Sequence, residues 1–229
     1  MDAGKELSAS TIKTDLAAIR FFHDKISNAK YTPPTNAELG VELERRRFGV
    51  QDRTWSAAEF NRILELASEN DGYLLAFHLA RYAGLRIHEC FRIDTAIARQ
   101  ALREHAITIK GKGGKIRTVP INQQIISLLE KCLATTPTGS KLLVLDDIPT
   151  DKAINQLQQF ILRNRDTVQD PDSNRPLTFH GLRHTYAAEK YRLSFADGIS
   201  ELDAHLTVSR LLGHERADVT NIYLASMKI

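Results

Sequence analysis

Apolar residues in this chain recur at steps of three and four along most of its length, and a pair of neighbouring segments alternates instead. The first pattern lays a stripe along an α-helix; the second sends every other side chain to one face of a strand. Alternation occurs in Ala106-Ile107-Thr108-Ile109 and Ile116-Arg117-Thr118-Val119, which flank the turn-forming Gly111-Lys112-Gly113-Gly114. That arrangement predicts a β-hairpin with lysine at its tip. The expected fold is therefore mainly α with a small antiparallel β-sheet, an α+β class.

The helical stripes can be placed one by one. Ile12, Leu16, Ile19, Phe22 and Ile26 mark an amphipathic helix from Ser8 to about Ser27, which needs a partner to pack on. Thr32-Pro33-Pro34-Thr35-Asn36 breaks the chain, a short helix is expected through Leu39 to Arg46, and the polar stretch from Arg47 to Thr54 reads as a linker. Ser56 and Glu59 then form an S-x-x-E capping box, in which each side chain satisfies a backbone N–H at the other end. Phe60, Ile63, Leu64 and Leu66 supply the face that follows, and Trp55 reads as a core anchor beside the linker. Further helices are expected at Gly72 to Ala83 and Ile87 to Ile93, with Gly84 between them, so that Arg86 stands at a helix start. Others are expected at Gln123 to Leu133, Lys152 to Asn164, His180 to Tyr191, His205 to Leu212 and Ala217 to Leu224, with Ser194 to Asp203 as a polar surface loop. Two parts result, residues 1–50 and residues 51–229.

Composition narrows the class of protein. No apolar run approaches the roughly 20 residues a membrane helix requires, and the opening MDAGKELSAS has neither the basic start nor the apolar stretch of a secretory signal. Cytoplasmic residence, with no membrane partner, is the expectation. Cys90 and Cys132 stand apart from any zinc or redox motif and read as buried thiols. The 31 Lys and Arg exceed the 28 Asp and Glu by a net charge of +3, which permits a polyanion partner without requiring one. Placement says more: Arg45, Arg46 and Arg47 form one basic cluster, and Lys110, Lys112, Lys115 and Arg117 another. Either could follow a phosphate backbone, where each neutralised phosphate adds a salt-dependent contribution, or could be a solvated helix end and a polar turn.

Three pieces stand out together: Gly84-Leu85-Arg86-Ile87-His88-Glu89, His180-Gly181-Leu182-Arg183-His184, and Leu211-Leu212-Gly213-His214 with Tyr223 nine residues on. Steps of three and four put His180, Arg183 and His184 on one helical face. In this order, with the hairpin lysine between the first two pieces, the set resembles the tyrosine recombinase (phage integrase) family over roughly Thr54 to Leu224. The resemblance implies a tyrosine recombinase catalytic domain over residues 51–229 and a partial helical core-binding (SAM-like) region plus linker over residues 1–50. It makes Arg86 the family's first arginine, Lys112 its hairpin lysine, His180 and Arg183 its H-x-x-R pair, His214 its L-G-H histidine and Tyr223 its nucleophile. Lys115 is the rival to Lys112 as general acid. Glu89 matches an acidic residue that would orient Arg86 or His184.

The implied chemistry suits these residue types. Attack on a phosphodiester builds charge on its non-bridging oxygens, which two planar guanidiniums can hold through paired hydrogen bonds. A phenol ionises near pH 10 in water, so it needs a proton acceptor or a cationic field at neutral pH. The resemblance implies a 3′-phosphotyrosyl intermediate, a freed 5′ hydroxyl, and no metal, cofactor or ATP. Its partners would be double-stranded DNA and other copies of the chain, four on DNA. Where relatives usually carry a complete core-binding domain, about 50 residues precede the linker here, the interval from Arg183 to His214 is long, and six residues follow Tyr223. From these departures the expectation is a shortened or minimal relative that assembles weakly and is a monomer in isolation. Two other readings compete: a type IB topoisomerase-like enzyme, and a catalytically silent DNA-binding regulator derived from an integrase. A zinc site at His180 and His184 is disfavoured, since Gly181 stands where a metalloprotease helix carries its glutamate. His78, His88 and His105 read as ordinary surface or packed histidines.

Overall fold

A computed structural model of the chain describes residues 7, 9–27, 33–39, 51–111, 114–145, 147–213 and 223. The chain divides into two compact units, Met1–Phe48 and Gly49–Ile229.

The first unit contains α1 (Ala9–Ser27). The Arg20 guanidinium donates to the Pro34 carbonyl at 2.8 Å and to Asn36 Oδ1 at 2.7 Å, which pins the segment after the proline break to the helix. Ile19, Phe21, Phe22 and Ile26 are exposed on α1. The helix expected through Leu39 to Arg46, with Arg45, Arg46 and Arg47, lies outside the described residues beyond Leu39.

In the second unit the Trp55 ring is buried, with Nε1 donating to the Thr178 carbonyl at 3.0 Å and the backbone N–H to Thr185 Oγ1 at 2.8 Å. The capping box of α2 (Ala57–Leu66) is complete. Its Glu59 is also buried against Arg175 Nη2, 3.1 Å from both carboxylate oxygens, so the cap anchors the loop before α9 (Phe179–Ala196). Helix α3 (Asp71–Ala83) is the central rod, with Leu75, Ala76, Phe77, Leu79 and Ala80 wholly buried, and it packs against both α6 (Gln123–Thr135) and α9. After Gly84 come α4 (Ile87–Cys90), a single turn, and α5 (Thr95–Glu104), capped by Asp94. Helix α5 is not among the expected helices, although Ile97 and Leu102 flank its buried Thr95, Ala98 and Ala101 and pack on the core.

His105, in the left-handed region at φ 52°, turns the chain into β1 (Ala106–Lys110), which pairs antiparallel with β2 (Ile116–Pro120). The register sets Thr108 opposite Thr118, with their hydroxyls 2.9 Å apart. Helices α7 (Thr150–Arg163) and α8 (Arg165–Val168) lead to α9, and α10 (Glu201–Leu211) packs on α9. The polar loop expected over Ser194 to Asp203 is much shorter than predicted. Helix α9 runs on to Ala196, and Ser200 caps α10 by accepting from the Asp203 N–H. Likewise the helix expected over 87–93 stops at Cys90. Cys90 and Cys132 are buried, and the helix expected at 217–224 lies outside the described residues apart from Tyr223. Among the described residues no helix is long and apolar enough to cross a membrane.

Candidate active site

Four segments converge beside the N-terminal half of α9. Arg86 is the N-cap of α4, and its backbone N–H and guanidinium Nη1 both donate to Glu89, at 2.8 and 3.0 Å. Glu89 has no solvent exposure, and a second guanidinium grips it, Arg117 of β2, with Nη1 3.0 Å from Oε1 and Nη2 2.7 Å from Oε2. Burial alone would raise the Glu89 carboxyl. The Arg117 hydrogen bonds, the Arg86 N–H and the charges of Arg117 and Arg183 instead hold it at about 2. Of the two partners expected for Glu89, the structure pairs it with Arg86.

Arg117 requires a correction. It was grouped with the hairpin lysines as a candidate contact to a phosphate backbone, but its side chain is 8 % exposed and is committed to Glu89. The alternation in β2 explains this placement, since Arg117 shares a face with the buried Val119 while Ile116 and Thr118 face outward. Lys110 and Lys115 are exposed near the hairpin end. Lys112 and His214 lie outside the described residues.

Arg183, from the second turn of α9, is the largest fully buried side chain described. Its Nη1 donates to the Gly84 carbonyl and its Nη2 to the Leu212 carbonyl at 2.6 Å, so it ties the loop before α4 to the turn after α10. Burial lowers its pKa to about 10, with the Arg86 and Arg117 charges adding to the effect and the hydrogen-bonded Tyr223 opposing it. Among the described residues, three guanidiniums against one carboxylate leave the cluster with an excess of positive charge.

Tyr223 is buried in the small core between α9 and α10, beside Tyr186, Val208 and Leu212. Its ring centroid lies 4.6 Å from that of His184, 5.5 Å from that of His180, and 5.5 Å from the Arg183 guanidinium carbon. Both imidazoles are neutral at pH 7. His184 is buried and held to about 3, by desolvation and by the charges of His180, Arg53 and Arg183. His180 is exposed yet held to about 4, by desolvation first and then by the charges of Arg183, Arg86 and Arg53. A neutral imidazole can accept a proton from a phenol.

Gly181 allows this arrangement. A Cβ there would come within 2.4 Å of the Arg53 carbonyl oxygen and 2.7 Å of Trp55 Nε1, so the chain entering α2 can lie on α9 only over a glycine. Arg53 is thereby held within charge range of both histidines, a cation that sequence motifs did not single out. A cavity of about 370 Å³ opens beside the cluster, lined by Arg86, His88, Gln158, Arg165, Thr178 and His180.

Residues 54–228 match the phage integrase family. The chain belongs to that family. Tyrosine recombinase XerC of Bradyrhizobium diazoefficiens is 27 % identical over 213 residues, covering 91 % of this chain and 58 % of that protein. The chain thus spans little more than half the length of this relative. Two solved structures share the phage integrase fold at 18 % identity. A lambda integrase dimer bound to a COC′ core site superposes with a TM-score of 0.64 over 94 % of this chain and 59 % of that one. XerA recombinase superposes with 0.56 over 95 % and 71 %.

Proposed function

We propose that this phage integrase family chain carries the catalytic domain of a site-specific DNA recombinase or integrase, over residues 51–229. Residues 1–50 are assigned to a helical core-binding (SAM-like) region plus linker. The observation that carries the reading is the packing of the Tyr223 ring against His180, His184 and the Arg183 guanidinium, inside a cluster where arginines outnumber carboxylates. Such a cluster attracts one anionic group, and a phosphodiester seated on it would lie within reach of a phenol oxygen.

The family resemblance assigns the step to these residues. The Tyr223 oxygen attacks phosphorus while the P–O5′ bond breaks, giving a 3′-phosphotyrosyl adduct and a 5′ oxygen that leaves. His180 takes the phenol proton, and the hairpin lysine, Lys112 with Lys115 as its rival, protonates the leaving oxygen. Arg86 and Arg183 hold the charge that builds on the non-bridging oxygens, commonly the largest single contribution to such catalysis, and His214 donates to one of them. A phosphodiester entering the site offsets the arginine charges that depress His180 and makes it a better acceptor. Because the adduct keeps the bond energy, a second 5′ hydroxyl can attack it and be joined without ATP. Double-stranded DNA and further copies of the chain are the partners, in the cytoplasm. The lambda integrase relative, seen as a dimer bound to a core site, supports both.

The test uses a pool of nicked duplexes with randomised sequence around the nick, from which a denaturant-stable protein–DNA adduct is captured and sequenced. Wild type forms the adduct and Tyr223→Phe does not; an adduct that persists in Tyr223→Phe refutes the assignment. Joining the captured strand to a second duplex separates a recombinase from a type IB topoisomerase-like enzyme, which reseals the strand it cut.

A further inference from the structure

We propose that Arg117 is a positioning residue, which by occupying half of the Glu89 carboxylate sets where Arg86 presents its guanidinium. This rests on the function proposed above and adds to it a residue outside the matched motifs.

A carboxylate offers about four acceptor directions, and the four bonds to Glu89 are shared evenly. Oε1 accepts from Arg86 Nη1 and Arg117 Nη1, both at 3.0 Å; Oε2 accepts from the Arg86 backbone N–H at 2.8 Å and Arg117 Nη2 at 2.7 Å. Arg117 thus makes the two-pronged contact that a guanidinium makes best. Arg86 commits a single side-chain nitrogen, Nη1, to the same carboxylate. Glu89 has no water to fall back on. Were Arg117 absent, the vacated oxygens would draw Arg86 into the two-pronged pairing, pulling its guanidinium away from the site, or would take a proton and release it.

The remaining length of Arg117 is used as well. Its Cδ and Nη1 lie 3.3 Å from where a Cβ on Gly213 would stand, a residue at φ +67° directly after Leu212, whose carbonyl accepts from Arg183. Strand β2 therefore touches the surroundings of both arginines of the site through one side chain. None of this requires Arg117 to touch DNA.

The experiment measures, on the full chain and the nicked duplex pool, the rate of adduct formation at saturating DNA and, separately, the DNA affinity. The variants are Arg117→Gln, Arg117→Lys, Glu89→Gln and the double variant Arg117→Gln/Glu89→Gln. Arg117→Gln is expected to slow adduct formation roughly ten- to a hundredfold, the usual range for a residue acting through another, with affinity unchanged. Arg117→Lys, which keeps the charge but loses the fork, recovers part of the rate. The double variant loses no more than the worse single variant, because both act through one contact. Full rate in Arg117→Gln overturns the proposal. So does a loss that appears as weaker DNA binding, or losses that add. Should Arg117→Gln fail to fold, Arg117→Lys decides, and wild-type rate there overturns the proposal. If wild type itself forms no adduct, the reading of the site has failed; if wild type forms one and Arg117→Gln matches it, only this inference has.

Discussion

Replacing Arg183 by lysine tests whether this arginine is a strut as well as a charge. The guanidinium bridges two carbonyls on separate elements, Gly84 before α4 and Leu212 after α10, and it is 1 % exposed. Lysine has similar reach and the same charge but a single nitrogen, so it can serve one carbonyl well and must leave the other without its donor. A hydrogen bond from a charged donor contributes about 1.5–3 kcal/mol, and a buried acceptor left unsatisfied loses a comparable amount. The expected destabilisation is therefore about 1.5–3 kcal/mol. In a chain of this size that lowers the melting temperature by roughly 3–12 °C, taking about 2–4 °C per kcal/mol. Circular dichroism melts and urea titrations would read it. Adduct formation should fall further than stability explains, by a hundredfold or more, because a lone ammonium cannot hold two phosphate oxygens at once. A melt indistinguishable from wild type would refute the strut. Full adduct formation in a stably folded Arg183→Lys would refute the phosphate role.

Two further outcomes follow from the same packing. Gly181→Ala should destabilise by about 2–4 kcal/mol, from two Trp55 hydrogen bonds near 1 kcal/mol each and part of the indole's burial. An alanine inside an unobstructed helix would instead stabilise by up to about 1 kcal/mol, so the sign of the change in a urea titration decides. His184 has a folded-state pKa near 3 against about 6.5 unfolded. The unfolded chain thus takes up this proton first as pH drops, and the stability His184 confers is whole above pH 6.5 and is lost between there and pH 3. The full gap corresponds to on the order of 5 kcal/mol. Urea titrations from pH 7.5 downward should show this acid limb flattened in His184→Gln; an unchanged limb would mean that His184 is not held neutral.

What could be read in the sequence depended on whether a signal was local. The Ser56–Glu59 capping box, the hairpin and the long stripes of α3, α6 and α7 follow from neighbouring residues, and they stand where local chemistry puts them. Helix α5 carries a legible signal as well, since Ile97, Ala98, Ala101 and Leu102 recur at helical spacing, yet it is absent from the expected elements. The connector between α9 and α10 was drawn too long, because Ser200, Glu201 and Asp203 look like loop residues when they are in fact a cap and an acidic first turn. Arg86, Glu89, His180, Arg183 and Tyr223 could be named from motifs, but which of them touch could not, since the contacts of Tyr223 with His180 and Arg183 span about forty residues of chain.

The misplacement of Arg117 shows why charge counting fails at such a site. On the sequence it is one more cation in a lysine-rich hairpin, and a whole-chain net charge of +3 says nothing of where the excess lies. In the fold the excess is local. Arg86, Arg117 and Arg183 face a single buried carboxylate, and two histidines beside them are kept neutral, partly by those same charges. A buried carboxylate shared by two guanidiniums fixes geometry at the expense of desolvation, and is retained where position matters more than stability. A surface cation would lose most of its effect to salt within about 10 Å, whereas these lie against the low-dielectric core and are screened far less. Discrimination therefore resides in the period-two pattern of β2. That pattern points Arg117 inward beside Val119, whereas Lys110 and Lys115 are exposed cations among the described residues of the hairpin, and their removal should alter the salt dependence of DNA binding.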